Sequence, residues 1–210
     1  MNVVIVGAGG HGRVVLEILR LAGQHNPVGF IDADTSRANS SVGGLPVLGP
    51  IHLLPRLRKQ EITGAIVAIG DNRIRRSYAD LVTQADLELV SAVHPAASVS
   101  PTAAIGRNVV ISAGATVVTE ARIGDGAIIN TNAVVDHECV IGRAVHICPG
   151  VLLAGRVRVE DGAFVGLGAK VLPCLTVGRD AVVGAGAVVI EDVPAGETVV
   201  GVPARTRSAS

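Results

Sequence analysis

Aromatic side chains are nearly missing from this 210-residue chain, which has two Phe, one Tyr and no Trp. Since 49% of the residues are apolar, the interior must be built from Val, Ile, Leu and Ala. That suits a narrow, regular core better than an ordinary globular one. Cysteine is scarce too. Cys139, Cys148 and Cys174 are odd in number and lack a CxxC spacing. They argue for a reducing cytoplasm and against a disulfide scaffold or a zinc site. Neither sign of charge is in excess, with 18 basic and 18 acidic side chains, so nothing points to a nucleic-acid binder or a membrane-surface protein. No apolar run is long enough to span a bilayer. The opening residues carry no basic segment and their apolar run breaks at Gly7, so no export signal is read there.

What is present falls into two regimes. Up to about residue 90, short apolar runs alternate with helix-like stretches, as in a domain with a small parallel sheet. Val3–Val6, Val28–Ile31 and Ala65–Ile69 read as buried strands. Gly12–Leu21, with apolar Val14, Val15, Ile18 and Leu21, and Ile74–Leu81 read as helices. The run Gly7-Ala8-Gly9-Gly10-His11-Gly12 fits G-x-G-x-x-G, after a strand and at the opening of a helix. Backbone N–H groups at a helix start favour phosphate. Asp32 follows the next strand, where a ribose-binding acid would stand. A full dinucleotide site is rejected on size, because it needs two mononucleotide halves and only about 90 residues are available. A nucleotide diphosphate remains, beside the plainer reading of a tight turn without a ligand.

From Val93 the period changes to six. An aliphatic residue recurs at Val93, Val99, Ile105, Ile111, Val117, Ile123, Ile129, Val135, Ile141, Ile147, Leu153, Val159, Val165, Val171, Val177, Val183 and Val189. With these as position 1 of each hexad, position 5 is also apolar throughout, from Ala97 to Val193, and position 2 is often Gly. Such a period fits neither a lone amphipathic helix nor a hairpin meander. It predicts a parallel β-helix in which three hexads close one triangular coil and each strand pairs with the strand one coil away. Positions 1 and 5 fill the interior, and Gly at position 2 suits tight backbone geometry. His137 and Glu138, at positions 3 and 4, and His146, at position 6, should then face outward. An imidazole beside a carboxylate suits a general base, although Asp136 competes with Glu138 as its partner. Arg205 and Arg207 near the end read equally as phosphate ligands and as a solvated tail.

The hexad run, the segment Asn130–Cys139 with its Asp136-His137-Glu138, the glycine segment Gly7–Gly12 and the ending Gly201-Val202-Pro203-Ala204-Arg205 occur together. This combination resembles the hexapeptide-repeat sugar O-acyltransferase family, which includes sialic acid O-acetyltransferases and nucleotide-amino-sugar N-acetyltransferases. The resemblance implies a small Rossmann-like domain over residues 1–90 and a left-handed β-helix with a C-terminal tail over residues 91–210. It implies a cytoplasmic homotrimer with acetyl-CoA in the groove between subunits and no metal. His137 would be the general base and Glu138 would raise its basicity. His146, Leu167 and Ala185 would contact acetyl-CoA. Gly9, Gly10, His11, Asp32, Ala33 and Gly70 would bind the nucleotide-sugar. The activity expected is acetyl transfer to the amine of a nucleotide-linked amino, dideoxy sugar. The alternatives are O-acetylation of a sialic acid or related sugar, and a non-catalytic trimeric scaffold.

Overall fold

The computed structural model describes residues 1–207. The chain forms two compact units, Met1–Pro95 and a second that begins at Ala96. In the first, β1 (Asn2–Val6), β2 (Asn26–Ile31), β3 (Ser41–Val42), β4 (Leu45–Gly49), β5 (Gly64–Val67) and β6 (Glu88–Leu89) lie in the order β3-β4-β2-β1-β5-β6. Only the β3–β4 pair is antiparallel. The helices are α1 (Gly10–Ala22), α2 (Leu54–Leu57) and α3 (Asn72–Gln84).

Central β1 reads as an unbroken apolar run because both of its faces are covered, and Val3 to Val6 are fully buried. Val4 and Val6 share a cluster with Leu54, Leu57 and Val82. Helix α1 buries Val15, Leu16, Ile18 and Leu19 at helical spacing. It closes on Gly23, whose left-handed φ of 68° frees its N–H to bond Leu19 O. Helix α3 begins earlier than the apolar spacing predicts because Asp71 caps it, accepting from the N–H groups of Arg73 and Ile74 at 2.9 and 2.8 Å. Such a cap contributes ~1 kcal/mol. The strand order reverses at β1: β2 and β4 lie to one side, β5 and β6 to the other. That reversal opens a crevice beyond the carboxyl ends of the strands.

The second unit is a left-handed parallel β-helix. Two-residue strands stack in three columns at eighteen-residue steps, Val117 with Val135, Ile129 with Ile147, Ile141 with Val159, and only the last coil is shorter, with Val183 paired to Val199. Position-1 side chains from Ile111 to Val189 are buried, as the hexads predict. Val99 and Ile105 are only half-buried, contrary to a fully enclosed run. They belong to the terminal coil, and an end coil lacks a neighbour on one side.

The corner geometry corrects the expectation for glycine. The left-handed residue is position 4 in hexad after hexad, Gly114, Glu120, Gly126, Asn132 and Glu138 among them. Position-2 glycines are needed for close stacking instead. A Cβ on Gly142 would lie 2.6 Å from the Asp161 N of the next coil, and one on Gly166 2.7 Å from Ala185 N. Among the described residues, no helix is long and apolar enough to cross a membrane.

Candidate functional site

The loops after β1, β2 and β5 enclose a cavity of about 330 Å³. All six expected residues line it: Gly9, Gly10, His11, Asp32, Ala33 and Gly70. The glycines of the motif divide by role. A Cβ on Gly12 would collide with the Gly7 carbonyl oxygen, whereas Gly9 and Gly10 face open space. Gly9 gives α1 no side-chain cap for its first-turn N–H groups. Asp32 does more than line the cavity. Its Oδ2 accepts from Ala8 N–H at 2.7 Å and its Oδ1 from Asp34 N–H at 2.9 Å. Arg37 Nη1 donates to Ala8 O at 3.0 Å. The glycine loop is thus pinned at both backbone polar groups of Ala8.

His11 is neutral here. Burial, and then the nearby Arg75 guanidinium, bring its pKa down to about 4. Arg75 is fully buried and donates to Ile69 O, Gly70 O and Asn72 Oδ1 at 2.8, 3.0 and 2.8 Å. It therefore braces the loop after β5. A consequence can be measured. Between pH 6.5, the ordinary value, and about 4, the unfolded chain binds a proton at His11 that the folded chain refuses. Stability should fall as pH drops through that window, by roughly 1–3 kcal/mol. Urea titrations of wild type and His11→Gln should diverge there, with the variant losing less. Parallel curves would show that His11 carries no such linkage.

In the second unit, Asp136-His137-Glu138 form a corner after the strand Val134–Val135. Both His137 and Glu138 face outward, with side chains 45% and 41% exposed. His137 Nδ1 lies 3.0 Å from Glu138 Oε2. Asp136 instead accepts the His137 backbone N–H at 2.7 Å. Glu138 is therefore the imidazole's partner, and Asp136 shapes the turn. With Nδ1–H committed to the carboxylate, Nε2 is the nitrogen free to accept a proton. Hydrogen bonds from His137 and then Arg156 hold the Glu138 carboxyl below its usual range, so it stays ionised.

His146, Leu167 and Ala185 lie elsewhere on the coil. His146 Nε2 is 3.1 Å from Asn130 Nδ2, which can only donate. The ring meets Phe164 edge to face at 5.3 Å. Leu167 and Ala185 are exposed and sit eighteen residues apart on one corner. Gly168 and Gly186 beside them also face open space, so this corner offers bare backbone with an apolar rim. It is a different corner from that of His137, and the strand face through Leu152 and Lys170 separates the two. Arg205 has a largely exposed side chain, with its Nη1 3.6 Å from Glu191. Arg207 has an exposed side chain.

Two neighbours of His137 escaped the sequence reading, and both follow from the eighteen-residue coil. Gly155 lies one coil above His137, and a Cβ there would strike the imidazole at Nε2 and Cε1. Arg156 lies above Glu138, with its Nε 3.0 Å from Oε2. Cys139 and Cys148 are buried, and burial pushes both thiols up to about 11. Among the described residues, no group of three or more His, Cys, Asp or Glu is arranged to hold a metal ion.

Comparison with known proteins gives the following. The PglD N-terminal domain family matches residues 2–82. The chain is 36% identical over 105 residues to the UDP-N-acetylbacillosamine N-acetyltransferase of Bacillus subtilis, an alignment taking in 49% of this chain and 47% of that protein. The match thus spans about half the length of that curated relative. A histidine variant of perosamine N-acetyltransferase from Caulobacter crescentus, solved with CoA and GDP-perosamine, is 44% identical over 100% of this chain and 98% of that one, with a TM-score of 0.96. The acetyltransferase domain of PglB from Neisseria gonorrhoeae, solved with acetyl coenzyme A, is 39% identical over 98% of each chain, with a TM-score of 0.91.

Proposed function

This chain belongs to the hexapeptide-repeat sugar acetyltransferases, and we propose that it transfers an acetyl group from acetyl-CoA to the amine of a nucleotide-linked amino sugar. The observation that carries the reading is the His137 corner. One imidazole nitrogen is fixed by an ionised carboxylate and the other is left free. The first domain, residues 1–90, holds the nucleotide, with its diphosphate over Gly9 and Gly10 at the start of α1 and the rest among Asp32, Ala33, His11 and Gly70. Residues 91–210 carry the transfer. Acetyl-CoA supplies an activated thioester carbonyl. Leu167, Ala185 and the bare backbone beside them fit the pantetheine arm, which is apolar and carries amides, and His146 borders the same region.

A sugar amine is largely protonated near neutral pH and attacks only after losing a proton. That first proton goes to solvent; as the neutral nitrogen then adds to the carbonyl, His137 Nε2 takes a second proton from it, and Glu138 steadies the imidazolium through Nδ1. The same proton can then leave with the departing thiolate, so no net charge stays on the enzyme. The raised Cys139 and Cys148 thiols are poor nucleophiles, which supports direct transfer over an acyl-enzyme. All three cysteines are free, which supports a reducing compartment, the cytoplasm.

The working state is proposed to be a homotrimer. The two corners needed for the reaction flank one strand face, and that face presents Leu152, Leu172 and Ile190 to solvent. A second copy seated there would bury this apolar row and complete a groove. Light scattering on a sizing column should give about three times the 21.3 kDa chain mass. A monomer at micromolar concentration would remove the shared groove.

The activity test pairs acetyl-CoA with nucleotide-linked amino sugars and, separately, with free and nucleotide-activated sialic acids. CoA release with an alkali-stable amide product is the expected result. A base-labile ester with no turnover of any amino sugar would transfer the assignment to O-acetylation. Sugar-nucleotide binding without CoA release would leave only a scaffold.

A further inference from the structure

We infer that Arg156 is a positioning residue for this transfer: it holds Glu138 on His137 Nδ1 while sharing the carboxylate's charge. The inference rests on the reading of His137 as the base. Two independent ties place Arg156. Its backbone N–H donates to His137 O at 2.9 Å across the coil step. Its Nε meets the same oxygen, Glu138 Oε2, that receives His137 Nδ1, each at 3.0 Å. Arg156 and Glu138 occupy the same corner position in successive coils, and both are left-handed, with φ 62° and 58°. Their side chains therefore leave the corner in parallel.

The physical effect follows from the sharing. A lone carboxylate against Nδ1 favours the imidazolium and would leave more of the base already protonated. A guanidinium on the same oxygen opposes that in two ways: it neutralises part of the carboxylate, and it adds a like charge near the ring. It also limits the rotamers of Glu138, which would otherwise swing freely on an exposed corner. The remaining charged or titratable neighbours are few. Asp136 faces the His137 backbone, Glu120 and Arg122 on the preceding coil line a surface cleft together with Glu138, and Cys174 follows Arg156 one coil further and influences it. None of these is hydrogen-bonded to the imidazole.

The experiment compares wild type, Arg156→Met, Arg156→Gln and Arg156→Lys. Histidine-labelled protein is titrated by NMR, with the His137 resonance assigned from a His137→Asn spectrum. In Arg156→Met and Arg156→Gln the His137 midpoint should rise, because the carboxylate is no longer shared. The acidic limb of kcat/KM should rise with it, while KM for both substrates changes less than kcat at pH 6.5. Arg156→Lys keeps the charge and should keep the wild-type midpoint. A midpoint that stays put or falls in a folded Arg156→Met or Arg156→Gln protein overturns the inference. Failure of the wild type to acetylate any amino sugar would instead overturn the proposed function, and the NMR midpoint would still report on Arg156.

Discussion

His137→Ala should lower kcat by about 10²–10⁴ and leave the protein folded. The side chain is nearly half exposed and stands outside the coil, so its removal opens no interior cavity. Its contacts are a carboxylate on the same corner and the bare Gly155 of the next coil, and neither belongs to the packed interior. Circular dichroism and the melting temperature should therefore stay near wild type while single-turnover acetylation collapses. Glu138→Ala should cost less, since the imidazole survives and loses only its orienting partner. Near-normal turnover in His137→Ala would assign the proton to another group. His11 lines the cavity of the first unit, but with a pKa of about 4 it is a weak base.

Gly10→Val should cost roughly tenfold to a hundredfold or more in affinity for the sugar nucleotide, because each lost charge-assisted bond to phosphate is worth about 1.5–3 kcal/mol. Its Cβ enters open cavity space and meets no protein atom within 4 Å. The branched side chain would then stand where the diphosphate must approach, while the fold and the affinity for acetyl-CoA persist. Gly12→Ala is the contrasting case. There the added carbon strikes the Gly7 carbonyl oxygen, and overpacking at such a contact costs about 1–3 kcal/mol of stability or more. Calorimetric titration and thermal melts should therefore separate two neighbouring glycines. Unchanged sugar-nucleotide affinity in Gly10→Val, or tight NAD binding by the wild type, would overturn the assignment of this cavity.

The architecture was legible because its cause is repetitive. A six-residue recurrence from Val93 onward predicts a three-sided parallel coil without knowledge of any single contact, while its left hand came from the resemblance. The glycine loop and Asp32 were legible for a similar reason: a glycine loop after β1 and an acid after β2 converge where a parallel sheet reverses its strand order, whereas Ala33 and Gly70 came only with the resemblance. Other features needed the third dimension. Nothing local marks Gly155 or Arg156, which meet His137 and Glu138 only because the coil closes every eighteen residues. The period was visible, and adding eighteen to each site residue would have found both. The Asp136–Glu138 ambiguity is a matter of side-chain direction at a left-handed corner, which spacing does not encode. The reason for position-2 glycines was misread because sequence shows which residue is small without showing whether φ or a neighbouring coil demands it. The short β3–β4 pair around Gly43-Gly44 and the helix at Leu54–Leu57 carry too little periodicity to be recognised.

The three-sided coil also makes the chain sensitive to phase. Removing eighteen residues would delete one storey and return every later side chain to its own face. Removing six would be invisible to the hydrophobic pattern, because position 1 would still point inward and position 4 would still turn the corner. Yet all that follows would be rotated by a third of a turn, and the corner bearing Leu167 and Ala185 would face a different direction relative to His137. In this molecule a deletion can preserve the core and scramble the map drawn on its surface, so length changes near Gly142–Glu160 are screened by function and not by foldability.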